Sequence, residues 1–509
     1  MIATTRQPEA VIADGTLLDG LRLWARSTPD TPALTEGGTT LGYRALLDAV
    51  ERAAAALPER GVRAGDRVIL VGENTWQWAV AYLAVMAAGA IVVPANTRLS
   101  PAQFAAQAEF VDARLVLVDE RFASLAEGVE RRVERIDLPG SFLDGTSAAG
   151  ELPALELDAP ALISFTSGTT GTPKGALLTH RALAEGSRVF ARVLGTSRDD
   201  STVVLVPMFH NTGFVDQLGH MILVGGETVL LRSFRTQAAV DELARRQVTY
   251  ITAVPSIIRL VMTHEQADRA FARARSVLYG GSPMPEAWSN ELAERWPALR
   301  LFHGYGLTEF TSAVSFLTPD RAANRESVGS PAPGVEVRIV DPDGVDVADG
   351  ATGELIARGP TMMSQYWGAP ELTARKIVDG WLWTGDLAHR ADGLLFLDGR
   401  VDDVINRGGE KVLPAFVESK LSEIPGVAEA CVFGLDDPIL QSRVHAVVRP
   451  RDGETVPAEA DIRARLAEQL PDYAVPETVR VWDDLPRGAS GKVDRRAVVA
   501  KRKQEGEAR

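Results

Sequence analysis

The stretch Ser164–Gly175, which reads S-F-T-S-G-T-T-G-T-P-K-G, decides the fold of this chain. Six of its twelve residues are Ser or Thr, three are Gly, and Lys174 supplies one cation. The apolar runs 161–163 and 176–178, on either side, are typical of buried strands. A loop of this composition between two buried strands offers backbone N–H groups, hydroxyls and a cation, which suits a phosphate chain.

This loop differs from the common phosphate-binding pattern G-x-x-x-x-G-K-[ST]. Pro173 stands where that pattern requires Gly, and Gly175 stands where it requires Ser or Thr. Proline also removes one backbone N–H donor. The sequence therefore predicts a phosphate loop of another kind. A plain surface turn is the alternative, because Gly, Ser and Thr are ordinary turn residues.

Length and composition limit the classes of protein. The 509 residues predict more than one domain. The net charge of −14 argues against binding to nucleic acid or to a membrane surface. The single cysteine, Cys431, excludes an intrachain disulfide and a thiolate zinc cluster, and we expect it in a core strand. The first ten residues lack an apolar stretch, so we expect no signal peptide and a cytoplasmic location.

Hydrophobic patterning predicts an α/β fold with two domains. Strands such as Arg67–Val71 alternate with helices such as Pro101–Phe110, which predicts a large N-terminal domain of parallel-rich sheets covered by helices. The uncharged stretch Ala79–Ala95 contains Gly89 and Pro94, so we interpret it as parts of a buried helix (Trp76–Ala88) and a buried strand, not a membrane span.

The sequence pattern changes from about residue 329. From there, short strands separated by Asp/Gly turns predict a small β subdomain up to residue 400. The charged segment Asp398–Asp403 is interpreted as a linker. Residues 401–509 predict a small, mobile α+β domain, whose length is reasonable for an independent unit. We therefore expect an N-terminal domain over 1–400 and a C-terminal domain over 401–509.

Polar and Gly-rich segments follow three of the predicted buried strands. These segments are Pro207–Asn211, Tyr279–Pro283 and His303–Glu309. Because α/β sheets bind ligands where their strands end, we expect the functional site at these segments.

Five later motifs are each weak alone but follow the Ser164–Gly175 loop in a set order. They are Y-G-L-T-E (305–309), W-T-G-D (383–386), G-R (399–400), R-G-G-E-K (407–411) and G-K-V-D-R (491–495). Together they resemble the adenylate-forming superfamily, which contains acyl-CoA synthetases, nonribosomal adenylation domains and firefly luciferase. The resemblance covers about residues 18–496 and is strongest to acyl-CoA synthetases. It implies that a carboxylic acid and ATP form an acyl-adenylate and pyrophosphate, and that coenzyme A then takes the acyl group.

The first step brings a carboxylate against an anionic phosphate, so cations and a metal ion must offset the repulsion. The resemblance implies three catalytic residues. Lys492 would bridge the carboxylate and the α-phosphate, Thr308 would donate to a phosphate, and Glu309 would bind Mg²⁺ as a hard oxygen ligand.

The resemblance also implies a nucleotide site. Tyr305 would face the adenine, and Asp386 and Arg400 would bind the ribose. The full set of nucleotide positions is Thr166, Ser167, Gly168, Thr169, Thr170, Gly171, Lys174, Gly281, Ser282, Pro283, His303, Gly304, Tyr305, Gly306, Asp386 and Arg400.

The second step requires Lys492 to leave so that a thiol can enter. The resemblance implies that the small domain rotates about a hinge at Asp402. Arg407, Gly408 and Gly409 would then line the path of the coenzyme A arm. Four side chains are candidates for the coenzyme A phosphates, and ordinary surface charge is an equal alternative for each: Arg407, Lys411, Lys420 and Arg443.

The acid is expected to bind beyond the strand ends. The predicted lining residues are His210, Asn211, Phe214, Val215, Gly280, Gly281, His303, Gly304 and Val314. Members that activate amino acids usually carry an Asp at the position near Asn211, and none stands there, which argues against an α-amino acid. Gly280, Gly281 and Phe214 suggest an apolar body of medium size. A core histidine is the alternative for His210.

Two other functions stay open at this point. A stand-alone adenylation enzyme would load an acyl or aryl acid onto a carrier protein instead of coenzyme A. A non-catalytic nucleotide-binding relative is disfavoured, because the chemistry-bearing positions Lys174, Glu309, Asp386 and Lys492 are intact. The identity of the acid and the oligomeric state are not readable from the sequence.

Overall fold

The computed structural model describes residues 11–136, 152–166, 174–282, 284–488 and 493–507. The helices are α1 (Leu17–Ser27), α2 (Tyr43–Ala56), α3 (Trp76–Ala87), α4 (Pro101–Phe110), α5 (His180–Leu194), α6 (Asn211–Gly213), α7 (His220–Val224), α8 (Thr236–Arg246), α9 (Pro255–Met262), α10 (Ala267–Phe271), α11 (Glu286–Arg295), α12 (Pro370–Lys376), α13 (Pro414–Ser422), α14 (Glu459–Ala467) and α15 (Arg495–Glu507). A π-helical segment, Phe214–Gly219, joins α6 to α7.

The strands are β1 (Pro32–Glu36), β2 (Thr39–Gly42), β3 (Arg67–Val71), β4 (Ile91–Pro94), β5 (Ala113–Val118), β6 (Arg132–Arg135), β7 (Pro160–Thr166), β8 (Lys174–Thr179), β9 (Ser201–Val204), β10 (Glu227–Leu230), β11 (Tyr250–Ala253), β12 (Ser276–Gly280), β13 (Arg300–Gly306), β14 (Ala313–Leu317), β15 (Ser330–Pro331), β16 (Glu336–Val340), β17 (Gly353–Arg358), β18 (Gln365–Tyr366), β19 (Ile377–Val378), β20 (Trp381–Ala391), β21 (Leu394–Arg400), β22 (Ile405–Arg407), β23 (Glu410–Val412), β24 (Val427–Asp437), β25 (Gln441–Pro450) and β26 (Thr478–Val481).

The chain divides into two compact units, Met1–Val337 with Ala357–Leu382, and Arg338–Ile356 with Trp383–Arg509. The first unit contains a nine-stranded sheet in the order β15-β14-β13-β12-β11-β9-β10-β1-β2, and a seven-stranded sheet in the order β18-β8-β7-β4-β3-β5-β6. Their central strands pair in parallel, while β14, β15, β2, β8 and β18 pair antiparallel. The predicted parallel-rich α/β fold is therefore confirmed.

Burial explains why these strands are almost wholly apolar. Strand β4 is buried along its whole length, and β3 is buried except at Arg67. Helix α3 is buried from Trp78 to Ala87, as predicted for the uncharged stretch that begins at Ala79. Within the part of the chain that the structure describes, no helix is long and apolar enough to cross a bilayer.

A third sheet has the order β16-β17-β20-β19, and β21 pairs antiparallel with β20. The predicted small β subdomain is therefore present. The interpretation of Asp398–Asp403 as a linker is wrong in part, because Gly399 and Arg400 pair with Leu387 and Asp386. Charge predicted that this segment is exposed, but a strand can carry exposed charges and still form its ladder.

The second unit ends in a five-stranded sheet with the order β23-β22-β25-β24, against which β26 pairs in parallel with β25. The long hairpin of β24 and β25 supplies much of its buried core. Cys431 is buried in β24, which confirms the sequence prediction, and burial raises the pKa of its thiol to about 12. The boundary at residue 400 and its hinge stay predictions.

Candidate active site

The Ser164–Gly175 stretch begins and ends in a β-hairpin. Thr166, the last residue of β7, lies opposite Lys174, the first residue of β8, so the two ends of the loop meet as a strand pair. A side chain at Gly175 would stand 2.6 Å from Ile163 Cγ2, which requires glycine there. The predicted nucleotide positions Ser167, Gly168, Thr169, Thr170 and Gly171 lie outside the described residues.

The ends of β12 and β13 lie side by side. Gly280 pairs with Gly304, and a Cβ on Gly280 would meet the Gly304 carbonyl at 2.8 Å. The rings of Tyr279 and His303 stack with centroids 4.5 Å apart. Burial lowers the pKa of His303 to about 4, so the ring is neutral at neutral pH, and its Nδ1 lies 3.2 Å from the Ser327 carbonyl.

The neighbouring predicted positions differ in exposure. Gly281 has a φ of +79°, a conformation that favours glycine. Ser282 is exposed and Pro283 lies outside the described residues. Tyr305 is buried in β13, with 9% of its surface exposed. Its stacking on an adenine stays a prediction.

Thr308 and Glu309 lie in a single 3₁₀ turn, Thr308–Phe310, between β13 and β14. Two contacts hold Glu309: the Met363 N–H donates to its carbonyl at 2.8 Å, and the Tyr366 hydroxyl donates to its Oε1 at 2.7 Å. Tyr366 belongs to β18, which pairs with β8 at Ala176 and Leu177, two and three residues after Lys174. The hairpin of the phosphate loop and the Glu309 carboxylate are thus linked through one short strand.

Asn211 makes a second link between the same two segments. The Ser164 hydroxyl, in β7, donates to Asn211 Oδ1 at 2.9 Å. The Asn211 Nδ2 donates to the carbonyl of Thr311, two residues after Glu309. Both polar ends of this amide are therefore occupied by protein groups. Its predicted place in the acid site stays a prediction.

The other predicted acid-site residues divide by exposure. The His210 side chain is exposed to solvent. Burial by the surrounding protein, followed by the smaller effect of the Arg98 charge, nevertheless lowers its pKa to about 4. Both observations fit a ring on the wall of a recess. Phe214, Val215 and Val314 are buried. The Phe214 ring packs on Tyr82 at 5.5 Å.

The structure also shows a buried acid beside these residues. Asp216 is 5% exposed, and the Ser312 hydroxyl donates to its Oδ1 at 2.6 Å. Burial raises its pKa to about 7, although hydrogen bonds from Ser312 and Thr212 act in the opposite direction. Two titratable neighbours respond to it: His220 Nδ1 lies 3.1 Å from the Asp216 carbonyl, and the Asp216 charge adds to the burial that raises the pKa of Tyr250 in β11.

This pKa predicts a pH-dependent stability. The folded protein binds the Asp216 proton more tightly than the unfolded chain, so the contribution of this group is full below about pH 4 and is lost as the pH rises through about 7. At about 1.4 kcal/mol per pKa unit, the loss is on the order of 4 kcal/mol. We expect Asp216→Asn to remove this pH dependence. The measurement is the difference between the wild-type and variant free energies of unfolding, determined by urea titration at several pH values. If the two free energies change with pH in the same way, the assignment is contradicted.

In the second unit, the two residues predicted to bind the ribose lie opposite each other. Asp386 in β20 pairs with Arg400 in β21, and their side chains form an ion pair at 3.3 Å. The Gly385 N–H donates to Glu354, and the Asp386 N–H donates to Thr384 Oγ1, so the turn that carries Asp386 is well anchored.

The predicted coenzyme A residues of the second unit are mostly paired with acids. Arg407 and Arg443 both bind Glu477, and Arg443 also binds Asp437. Lys420 pairs with Glu423 at 2.6 Å. Gly408 and Gly409 are exposed at the β22–β23 turn with φ values of +63° and +98°, which explains glycine at both positions. Lys411 is exposed in β23.

The last two predicted residues of the second unit are Asp402 and Lys492. Asp402 is exposed in the 3₁₀ turn Val401–Asp403. Lys492 lies outside the described residues. An isolated antiparallel β-bridge joins Arg487, which precedes it in sequence, to Val493, which follows it.

Sequence reasoning missed Tyr366, Asp216 and the bridging role of Asn211. Tyr366 stands in the unremarkable run S-Q-Y-W-G, and its partner Glu309 is 57 residues away. Asp216 stood in a helical apolar run, where an isolated acid is a usable signal, because buried carboxyl groups are rare. Its partner, Ser312, carried no signal.

The donor set near Glu309 fits Mg²⁺. The ion prefers hard oxygen ligands and is usually held by one or two carboxylates together with substrate phosphates. Glu309 offers one carboxylate oriented by a hydroxyl, and Thr308 stands beside it. Such an ion would supply charge neutralisation at the phosphates.

Known proteins share this architecture. Residues 21–367 match the AMP-binding enzyme family, and residues 417–492 match the AMP-binding enzyme C-terminal domain. A feruloyl-CoA synthase from Amycolatopsis sp is 35% identical over 93% of this chain and 97% of its own length. A fatty acid–[acyl-carrier-protein] ligase from Streptomyces coeruleorubidus is 31% identical over 94% and 95% respectively.

Solved structures agree. O-succinylbenzoate coenzyme A synthetase from Bacillus subtilis, in complex with ATP and magnesium ion, aligns with a TM-score of 0.84 at 29% identity, over 94% of this chain and 98% of that one. The fold and these similarities thus define an adenylate-forming enzyme, as the sequence resemblance implied. The chain belongs to the AMP-binding enzyme family.

Proposed function

We propose that this protein is an ATP-dependent carboxylic acid–CoA ligase. It converts an acid, ATP and coenzyme A into an acyl-CoA, AMP and pyrophosphate through an acyl-adenylate. The observation that supports this most is the Asn211 bridge, which joins β7, at the start of the phosphate loop, to the residue two places after Glu309. A phosphate loop and a metal-ligating carboxylate must act on the same triphosphate, and this bridge holds their supports together.

Each residue then has a physical task. Lys174 and the Thr166–Lys174 loop bind the β- and γ-phosphates, and Glu309 holds Mg²⁺ beside them. Asp386 accepts hydrogen bonds from the ribose hydroxyls, and Arg400 keeps the Asp386 carboxylate oriented. Lys492 offsets the repulsion between the acid and the α-phosphate.

The acid site favours an acid without an α-ammonium group. The ring of His210 is neutral, and its centroid lies 4.3 Å from the Phe209 ring centroid, so these two side chains offer aromatic surface. The feruloyl-CoA synthase relative acts on an aryl acid by its name. We therefore propose an aryl or similarly compact apolar acid.

The test is pyrophosphate release from ATP with a panel of aryl, cyclic and linear acids, with and without coenzyme A. We expect pyrophosphate release that requires an acid of one class and coenzyme A. We also expect mass spectrometry to detect the acyl-CoA product. No acid-dependent release or exchange with any acid would refute adenylation itself.

A carrier-protein acceptor is the second candidate. It is supported by the similarity to a fatty acid–[acyl-carrier-protein] ligase. In that case acid-dependent exchange of pyrophosphate into ATP would occur, but only a phosphopantetheine-bearing carrier protein would discharge the adenylate. Release of acyl-CoA with free coenzyme A would exclude this candidate as the sole activity.

We also propose that the protein is cytoplasmic. ATP and coenzyme A are intracellular substrates, and the only cysteine is buried, as suits a chain that does not depend on disulfides.

The Glu309–Tyr366 contact predicts a graded loss of Mg²⁺ binding. Glu309→Gln removes the charge, and we expect a rise of at least about tenfold in the Mg²⁺ concentration for half-maximal pyrophosphate exchange. Tyr366→Phe removes only the orienting hydroxyl, and we expect a smaller rise of about tenfold, at the lower end of the range for outer-shell partners of metal ligands. Tyr473→Phe, in the second unit, is the control and should not change the requirement. An unchanged requirement in Tyr366→Phe would refute the orienting role.

A further inference from the structure

Asp216 is a buried titratable group to which the proposed chemistry assigns no role. It lies in the π-helical segment Phe214–Gly219, and the groups that bind its carboxyl are the hydroxyls of Ser312 and Thr212. A buried carboxyl without an opposite charge is costly. Its hydrogen bond with Ser312 connects this buried group to the segment Thr311–Ser312.

The backbone of the segment Thr311–Ser312 is strained at Thr311. Thr311 has φ +62° and ψ −43°, a conformation that β-branched residues rarely adopt and that costs about 1–3 kcal/mol. The Thr311 hydroxyl donates to the Thr361 carbonyl at 2.5 Å. A Cβ on Gly186 of α5 would stand 2.9 Å from Thr311 Cγ2, so α5 closes against the same residue. Such a conformation persists only where the surroundings enforce it.

Asn211 and Asp216 enforce it from one helical run, 211–224. Asn211 binds the Thr311 carbonyl, and Asp216 binds the Ser312 hydroxyl. These two attachments at consecutive residues restrain the segment, in addition to the hydrogen bond from Thr311 to Thr361.

Two local backbone hydrogen bonds couple Thr311 to the turn that contains Glu309. The Phe310 N–H donates to the Leu307 carbonyl at 3.0 Å, and the Thr311 N–H donates to the Thr308 carbonyl at 3.1 Å. The turn that contains Glu309 therefore moves as one piece with Thr311.

We propose that Asp216 is a positioning residue which, through Ser312, holds the strained Thr311–Ser312 link and thereby fixes the Glu309 turn for Mg²⁺ and ATP. The part that concerns Mg²⁺ and ATP rests on the proposed function. The same helical run carries Phe214 and Val215, so the wall predicted to face the acid and the support of the metal ligand are one element.

Four variants test this. Ser312→Ala removes the donor, Asp216→Leu replaces the acceptor with a branched apolar side chain, and Asp216→Asn keeps an acceptor oxygen. Thr196→Val is the matched control, because it breaks another buried contact of the same helical run, the one between Thr196 Oγ1 and His220 Nε2 at 2.5 Å. If Asp216→Leu does not fold, Ser312→Ala still decides, since it leaves the carboxyl in place.

The first readout is hydrogen–deuterium exchange of the ligand-free protein, followed in peptides that cover residues 307–317. We expect amide exchange at residues 310–312 to be about tenfold faster in Ser312→Ala and Asp216→Leu, as for a lost hydrogen bond to a buried acid. Asp216→Asn should stay within about threefold of wild type. Thr196→Val should lower the melting temperature without faster exchange in this segment. Unchanged exchange there in Ser312→Ala overturns the proposal.

The second readout is calorimetric binding of ATP at several Mg²⁺ concentrations, with no acid present. We expect the Mg²⁺ concentration for half-maximal ATP binding to rise about tenfold in Ser312→Ala, and Asp216→Asn to retain most of the wild-type affinity. Equal weakening by Thr196→Val overturns the positioning role. If the wild-type protein does not bind ATP, the proposed function fails, and the exchange measurement still decides whether Asp216 holds the turn.

Discussion

Replacing Lys492 with alanine should abolish acyl-adenylate formation while leaving the second half-reaction nearly intact. The lysine is expected to offset the repulsion between two anions as they approach, and removal of one such donor typically costs about 10²–10³ in rate. Transfer of the acyl group from supplied acyl-adenylate to coenzyme A has no such approach. We expect its rate to stay within about threefold of wild type. The two steps are measured separately, by pyrophosphate exchange and by acyl-CoA formation from synthetic acyl-AMP.

Lys503→Ala is the matched control. It removes another C-terminal lysine, which is exposed and pairs with Asp436 at 3.2 Å. Both half-reactions should be unchanged. Equal loss of both steps in Lys492→Ala would contradict the idea that Lys492 serves only one of them.

The sequence predicted the fold well because the strands of parallel sheets are apolar along their whole length. Elements such as β3 and α4 begin and end at the predicted residues, since Gly-Asp and Ser-Pro mark their starts. The extent of β21 was missed, because charge along Asp398–Arg400 indicates exposure and not pairing.

The site was predicted only as far as motifs reach. Thr308 and Glu309 were predicted from local patterns, whereas the side chains that hold their segment come from positions far apart in sequence. Asn211 joins Ser164 to Thr311, and Asp216 reaches Ser312, 96 residues away. No local pattern encodes such partners, because they come from separate elements: Ser164 lies in the seven-stranded sheet, whereas Thr311 stands two residues before the start of β14 of the nine-stranded sheet.

The backbone strain at Thr311 could not be predicted either. Threonine normally avoids positive φ, so the sequence favours an ordinary turn. The contacts from Thr361, Asn211 and Gly186 outweigh that preference together. Local preference is overruled where several tertiary contacts act on one residue, and here that residue stands two positions from the proposed metal ligand.

Fixing the backbone at Asp402 should damage thioester formation most. Arg400 is held in the β20–β21 ladder, and Asp403 is bound by Arg495, whose guanidinium also binds Glu418 at 2.7 Å. The exposed residues between these two anchors, Val401 and Asp402, are therefore where backbone rotation meets least resistance. Proline holds φ near −65°, which suits the 3₁₀ turn seen here but blocks rotation away from it.

We expect Asp402→Pro to reduce acyl-CoA formation from supplied acyl-AMP by at least about tenfold, because this step depends on rotation about residue 402. Adenylation should fall less, and the melting temperature should be close to that of wild type. Asp402→Ala is the control: it removes the carboxylate but leaves φ free, so both steps should continue. An Asp402→Pro enzyme with an unchanged second step would place the hinge elsewhere, whereas equal losses in the Pro and Ala variants would assign the effect to the carboxylate.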